Sequence, residues 1–196
     1  MDTRDRRTLI ADAAITTVAR AGLRGLTHRA VDAAADLPAG STSYYFRNRT
    51  ALITACYERL LQLDLLDVGD AEWTPADRGQ AAEALAVMLH RWLTTGRERQ
   101  LARIELTIEA ARQPSLQGSL ADAGRRGRAR AAVILAELGA RDPESAATLL
   151  VAWTEGILHD YLVGAMASVR PAPDARALVS VARRMLDAAL APEPAP

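Results

Sequence analysis

Lysine is absent: all 24 basic residues are arginine, so an arginine at any one site is weak evidence of guanidinium chemistry there. Cysteine is nearly absent. One thiol, Cys56, excludes an intramolecular disulfide framework and fits a reducing compartment. Long apolar runs are missing as well. None approaches the roughly 18 residues needed to span a bilayer, and no signal-peptide core follows Asp2, Arg4, Asp5, Arg6 and Arg7. A cytoplasmic protein with no membrane partner is therefore expected. Net charge is zero, so gross electrostatics says nothing about nucleic acid, but the distribution is uneven. Residues 1–60 hold nine arginines against six carboxylates, and residues 61–196 hold fifteen against eighteen. The chain also has no phosphate-binding glycine loop, no serine-nucleophile elbow and no zinc spacing, which weighs against an enzyme.

Helical period is present in almost every long segment. From Thr8 to Ala21 a stripe forms from Ile10, Ala13, Ala14, Val18 and Ala21, and Gly22 should end that helix. Thr27 should cap a second helix, with Leu26 and Val31 spaced as a hydrophobic staple, and Asp36-Leu37-Pro38 should break it. A short third helix is expected from Ala39 to Tyr45, then a fourth, capped by Asn48, from Arg49 to about Leu66. Thr74-Pro75 reads as the next helix start. Further helices are expected over 75–95, 98–112, 115–139, 143–167 and 174–190. The fold class is all-α. A three-helix, helix-turn-helix DNA-binding domain would occupy 1–48. A helical ligand-binding and dimerisation domain would occupy 49–190, with 49–66 as connecting helix and 191–196 as a disordered tail.

Aromatic residues make up only 4% of the chain, yet two of four tyrosines and the sole phenylalanine fall within GSTSYYFRNR, Gly40 to Arg49. If Ala39 to Tyr45 enters a major groove, Ala39, Gly40, Ser41, Thr42 and Ser43 are short enough to approach base edges. Tyr44, Tyr45, Arg47 and Arg49 have the reach and polarity for phosphate, and Thr27, His28 and Arg29 sit at the other helix start. Phe46 should be core. One of Tyr44 and Tyr45 should pack against the first helix, and the sequence leaves open which.

Residues 8–55 resemble the DNA-binding domain of the TetR family of bacterial transcriptional regulators. The resemblance rests on the first amphipathic helix, Gly22-Leu23-Arg24-Gly25-Leu26-Thr27, the segment Gly40 to Phe46, and Arg47-Asn48-Arg49 with Leu52. Against the family's Gly-Thr-Leu-Tyr-Tyr-His-Phe, Ser41, Tyr44 and Phe46 match. Thr42 replaces the leucine, Ser43 the first tyrosine and Tyr45 the histidine, while Asp36 stands where a glycine commonly turns the chain. The resemblance implies a homodimeric regulator, a repressor, bound to a palindromic double-stranded DNA operator and released by a small-molecule effector. Polar or aromatic groups within apolar helices, His90, Trp92, Glu105, Glu109, Trp153 and His159, are candidates for the effector pocket. Each also has a plainer reading as core, dimer contact or solvated surface. Glu155 and His159 are one turn apart but lack a third ligand, so neither metal nor cofactor is expected.

The last two helices carry too many apolar residues for one face. Either they lie at the centre of a bundle or, the reading preferred because terminal helices are less often central, they pack on their own core and on a second chain. Leu150, Trp153, Leu158, Leu162, Leu178, Val181 and Met185 are the candidate dimer residues. The competing reading is a helical sensor or adaptor whose N-terminal helices bind protein instead of DNA.

Overall fold

Helix-start chemistry sets the first half of the chain in the computed structural model, which describes residues 3–68 and 73–191. Helix α1 (Thr3–Gly25) leaves helical geometry at Gly22, where φ is 63°, so the expected stop is present and one more turn follows it. The Thr27 hydroxyl accepts from the Ala30 amide at 3.1 Å and starts α2 (His28–Ala34), with Leu26 and Val31 both buried beside it. Asp36 turns the chain at φ 52°, a conformation that Asp tolerates better than most side chains. Gly40, at φ 91°, is the N-cap of α3 (Ser41–Tyr45), so the third helix begins two residues later than expected. Asn48 Oδ1 accepts from the Ala51 amide at 2.8 Å and opens α4 (Arg49–Val68).

The next start differs from expectation. Thr74-Pro75 is not helical, and α5 (Arg78–Leu93) is capped by Asp77, which accepts from the Gln80 amide at 2.8 Å. Gln80 Oε1 reaches back to the Ala76 amide at 2.6 Å. This reciprocal pair satisfies two free amides, where threonine followed by proline would satisfy one. Then come α6 (Arg97–Arg112), α7 (Pro114–Glu137), α8 (Pro143–Leu162) and α9 (Ala175–Ala189). Helix α8 stops short of residue 167: the Val163 and Gly164 amides both donate to the His159 carbonyl, at 2.9 and 2.8 Å. The chain there passes so close to Asp160 that a Cβ at Gly164 would lie 2.7 Å from the Asp160 carbonyl oxygen. Among the described residues there are nine helices and no strand. The tail expected at 191–196 lies outside the described residues from 192 onward.

Two compact units emerge: residues 1–63 with 98–123, and residues 64–97 with 124–196. The first therefore takes in most of α4, nearly all of α6 and the start of α7 besides the segment 1–48. Its core joins Ile10, Val18, Leu26, Val31, Phe46, Leu52 and Ile53 to Leu106 and Leu116. Arg59 grips Asp12 with two bonds, 2.7 and 3.1 Å, tying α4 to α1, and the Tyr57 hydroxyl donates to the Leu106 carbonyl at 2.5 Å.

Burial, helped by the Asp12 charge, pushes the Cys56 thiol up to about 12, and burial with Cys56 and Glu109 pushes Tyr57 up to about 12. Both groups release their protons more readily once unfolded. The stability they carry is therefore complete below about pH 9 and is lost as pH rises toward 12. Native protein at pH 8 should leave Cys56 unlabelled by a chromogenic disulfide reagent and react stoichiometrically in denaturant. Fast labelling of folded protein would contradict the packing around α4.

In the second unit α9 packs chiefly on α5, and α8 contacts both. Here the last two helices differ from expectation. Helix α9 is strongly amphipathic: Leu178, Ala182, Met185 and Leu186 point inward, and Arg176, Arg183, Arg184 and Asp187 are exposed. Only α8 has apolar residues on two sides. Ala146, Ala147, Leu158 and Leu162 are buried, while Leu149, Trp153 and Val163, just past the helix end, are 45%, 36% and 43% exposed. Leu158, Leu162, Leu178 and Met185 are thus core residues of their own chain, out of reach of a partner, whereas Leu150 and Val181 are half-buried.

Candidate nucleic-acid interface

Helix α3 has five residues, and the free amides at its start, those of the N-cap Gly40 and of Thr42, need acceptors that Gly40, lacking a side chain, cannot supply. Asp32 of α2 supplies them, its carboxylate accepting from the Gly40 amide at 2.8 Å and the Thr42 amide at 2.7 Å. Asp32 is only 4% exposed. Burial pushes its pKa up, but the bonds from the Thr42 and Gly40 amides, the neighbouring Thr42 hydroxyl and the charge of His28 outweigh that and hold it below the usual carboxylate value. Nothing local in the sequence marks this residue, because its partners lie on another helix.

Thr42 is 0% exposed. It was expected to meet bases, but it lies one turn before Phe46, on the face of α3 that closes the core, where the family carries leucine. It is no DNA contact. The exposed side of α3 consists of Ser43 and Tyr44, with Ala39 and Gly40 exposed just before the helix and Arg47 just after. Ser41 is half-buried and its hydroxyl donates to the Pro38 carbonyl at 2.6 Å, leaving lone pairs to accept from a base.

The two tyrosines separate cleanly. Tyr44 is 80% exposed, whereas Tyr45 packs against the core, its ring edge-on to Tyr44 with centroids 5.1 Å apart. Arg7 fixes that end of α3, donating to the Tyr45 carbonyl at 3.1 Å and lying over the Phe46 ring at 4.5 Å. A surface concavity of ≈ 320 Å3 is lined by Arg6, Pro38, Ser41, Tyr44 and Tyr45. Arg6 thus joins the set that reading from the sequence missed. Its only sequence signal is its place in the charged start of the chain.

Thr27 and Arg29 are exposed at the start of α2, but His28 is turned inward. Its Nε2 lies 2.7 Å from the Phe46 carbonyl oxygen, which can only accept, so that nitrogen carries the proton. Arg49, expected at phosphate, donates instead to the Leu26 carbonyl at 2.5 Å and the Leu23 carbonyl at 2.6 Å.

The residues expected to form an effector pocket are divided. Glu105 and Glu109 lie on α6 in the first unit, Glu105 exposed and Glu109 accepting from Gln113 Nε2. In the second unit Trp92 is buried, its indole N–H donating to Asp67 at 2.7 Å, and His90 is half-buried. Trp153 and His159 are both exposed on α8. No group of three or more potential metal ligands occurs among the described residues, and no helix among them is long and apolar enough to cross a membrane.

Comparison with known proteins agrees with this architecture. The family profile described as "Tetracyclin repressor-like, C-terminal domain" matches residues 76–192. No curated protein matches the chain. Among solved structures, a member of the TetR family from Streptomyces coelicolor A3 is 30% identical, with 92% of this chain and 98% of that chain covered and a TM-score of 0.69. The multidrug binding protein EbrR, in complex with imidazole, is 29% identical over 97% of each chain, TM-score 0.67. GusR of Salmonella enterica, at 22% identity over 97% of each chain, shares the fold with a TM-score of 0.74. A helix pair built to expose one face of α3, the family profile over the C-terminal half and a 30% identical relative over nearly the whole length lead to one conclusion: the chain belongs to the TetR family of DNA-binding transcriptional regulators.

Proposed function

We propose that the protein is a homodimeric repressor that binds a palindromic operator and leaves it when a small-molecule effector binds. The observation that carries the DNA side is the exposed face of α3, with Ser43, Tyr44 and Arg47 outward and Thr42 and Phe46 inward. Ser41 and Ser43 would meet base edges. Tyr44, Arg47, Arg6, Arg29 and the Thr27 end of α2 would hold phosphate, while Tyr45 positions Tyr44. Residues 1–48 would read DNA, and residues 49–190 would hold effector and partner.

The dimer reading rests on α8. Leu149, Ala152, Trp153, Gly156 and Val163 recur at spacings that put them on one exposed, largely apolar stripe. Asp160, the one charge within it, is paired with Arg170. Two copies related by a two-fold axis could cover that stripe mutually, which is why the operator should be palindromic. The effector reading draws on EbrR, described in complexes with proflavin and with ethidium. Planar aromatic cations are therefore the first effectors to test. An effector would act by preferring a conformation whose two heads no longer match the half-site spacing.

Mobility shifts with the DNA upstream of its own gene test the reading directly; a folded protein that binds no such duplex at low salt would sink it. Within that assay Arg47→Ala should weaken binding to every duplex alike and lower the salt slope by about one. Ser43→Ala should change which sequence is preferred. If both variants behaved the same way, the division between holding and reading residues would be wrong.

A further inference from the structure

A five-residue helix cannot hold itself in water, where roughly 12–15 residues are needed. The angle of α3 must therefore be imposed from outside: Arg7 of α1 holds the Tyr45 carbonyl at one end, and α2 reaches both ends. His28 and Asp32 are four residues apart, on one face of α2. Asp32 takes the N-terminal end of α3 through the Gly40 and Thr42 amides, at 2.8 and 2.7 Å. His28 takes the other end, Nε2 donating at 2.7 Å to the carbonyl of Phe46, the C-cap residue. One end needs acceptors and receives a carboxylate; the other needs a donor and receives an imidazole N–H. Asp32 is buried, so it has no route to DNA of its own.

We propose that His28 and Asp32 are positioning residues that clamp the recognition helix at both ends, and that sequence discrimination rests on this clamp more than phosphate affinity does. The inference builds on the DNA-binding reading above. Its physical basis is a difference in tolerance. Short side chains such as Ser41 and Ser43 meet base edges only if the helix axis is placed closely, because hydrogen bonds weaken steeply with distance and angle. Long side chains at phosphate, Tyr44, Arg47 and Arg6, re-aim through several torsions and lose little when α3 tilts.

The test uses the full chain. Duplexes enriched by wild-type protein from a random library supply the specific probe, and a scrambled duplex of equal length the non-specific one. Variants are compared below their melting temperatures by circular dichroism. Asp32→Asn keeps one acceptor oxygen but turns an NH2 against an amide. His28→Ala removes the donor, and His28→Gln restores an N–H of similar reach. Asp32→Asn and His28→Ala should each lose about 10- to 100-fold on the enriched duplex, the scale of one or two missed base contacts, with an unchanged salt slope. Affinity for the scrambled duplex should stay within about threefold, and His28→Gln should recover most of the loss on the enriched one. If Asp32→Asn does not fold, His28→Ala and its glutamine rescue decide alone. Equal losses on both duplexes, or no rescue by glutamine, would overturn the clamp. A wild type that enriches no sequence would instead overturn the DNA-binding premise, and the two failures are distinct.

Discussion

Trp153→Arg should give a folded monomer whose operator affinity falls by about 100- to 1000-fold, because each half-site is then bound without its tethered twin. The size of the effect follows from where Trp153 lies. Its ring is 36% exposed in the single chain, midway along a stripe with Leu149 before it and Gly156 and Val163 after it. Exposed tryptophan in an apolar patch is the residue type that most often dominates an interface when covered. Across a two-fold axis the substitution enters twice, so two guanidinium groups would approach each other in a desolvated seam. The fold itself should survive, since the inward side of α8 is built from Ala146, Ala147, Leu158 and Leu162. Light scattering coupled to size exclusion gives the mass, and mobility shifts give the affinity. A dimer of unchanged stability would place the partner elsewhere than on α8.

Helix boundaries were legible wherever a cap and its target are close in sequence. Thr27, Asn48 and Gly22 all act as their residue types predict, and Asp36 does occupy a left-handed turn. Where two local signals compete, the stronger wins: Asp77 with Gln80 displaces Thr74-Pro75. Composition without phase misleads at two places. The apolar residues of α9 look too many for one face, yet Arg176, Arg183, Arg184 and Asp187 fall together opposite Leu178, Ala182 and Met185. Thr42 belongs by type with its hydroxyl neighbours, but its spacing from Phe46 puts the two on one buried face. Asp32, His28 and Arg49 are a different case. Their partners lie eight to twenty-six residues away, brought near only by the packing of one helix on another. A charged side chain whose partner is a backbone group elsewhere leaves no pattern in the sequence.

Arg49 shows the consequence most sharply. Read as a cation near the recognition helix, it should touch phosphate, and Arg49→Ala should then weaken DNA binding and leave stability alone. The structure leads to the opposite expectation. Nη1 donates to the Leu26 carbonyl at 2.5 Å and Nη2 to the Leu23 carbonyl at 2.6 Å, so the guanidinium fork straddles the turn between α1 and α2. These carbonyls lie where the chain leaves one helix before starting the next, and Leu23 already accepts from the Leu26 amide. Position alone disfavours this cation, since a positive charge at the first residue of α4 opposes the helix dipole. The two charge-assisted bonds must more than offset that. Because the site is partly open to water, the carbonyls can be rehydrated, and the expected loss in Arg49→Ala is about 1.5–3 kcal/mol. For a chain of this size that is a fall in Tm of roughly 5–10 °C. Lysine reaches with a single ammonium and cannot span two carbonyls as the planar fork does, so Arg49→Lys should recover less than half of the loss. Thermal denaturation of the three proteins separates the alternatives. An alanine variant with wild-type Tm and weakened DNA binding would return Arg49 to the phosphate backbone; a lowered Tm, with affinity kept at temperatures where the variant is folded, makes it the staple that joins α4 to the turn carrying α2.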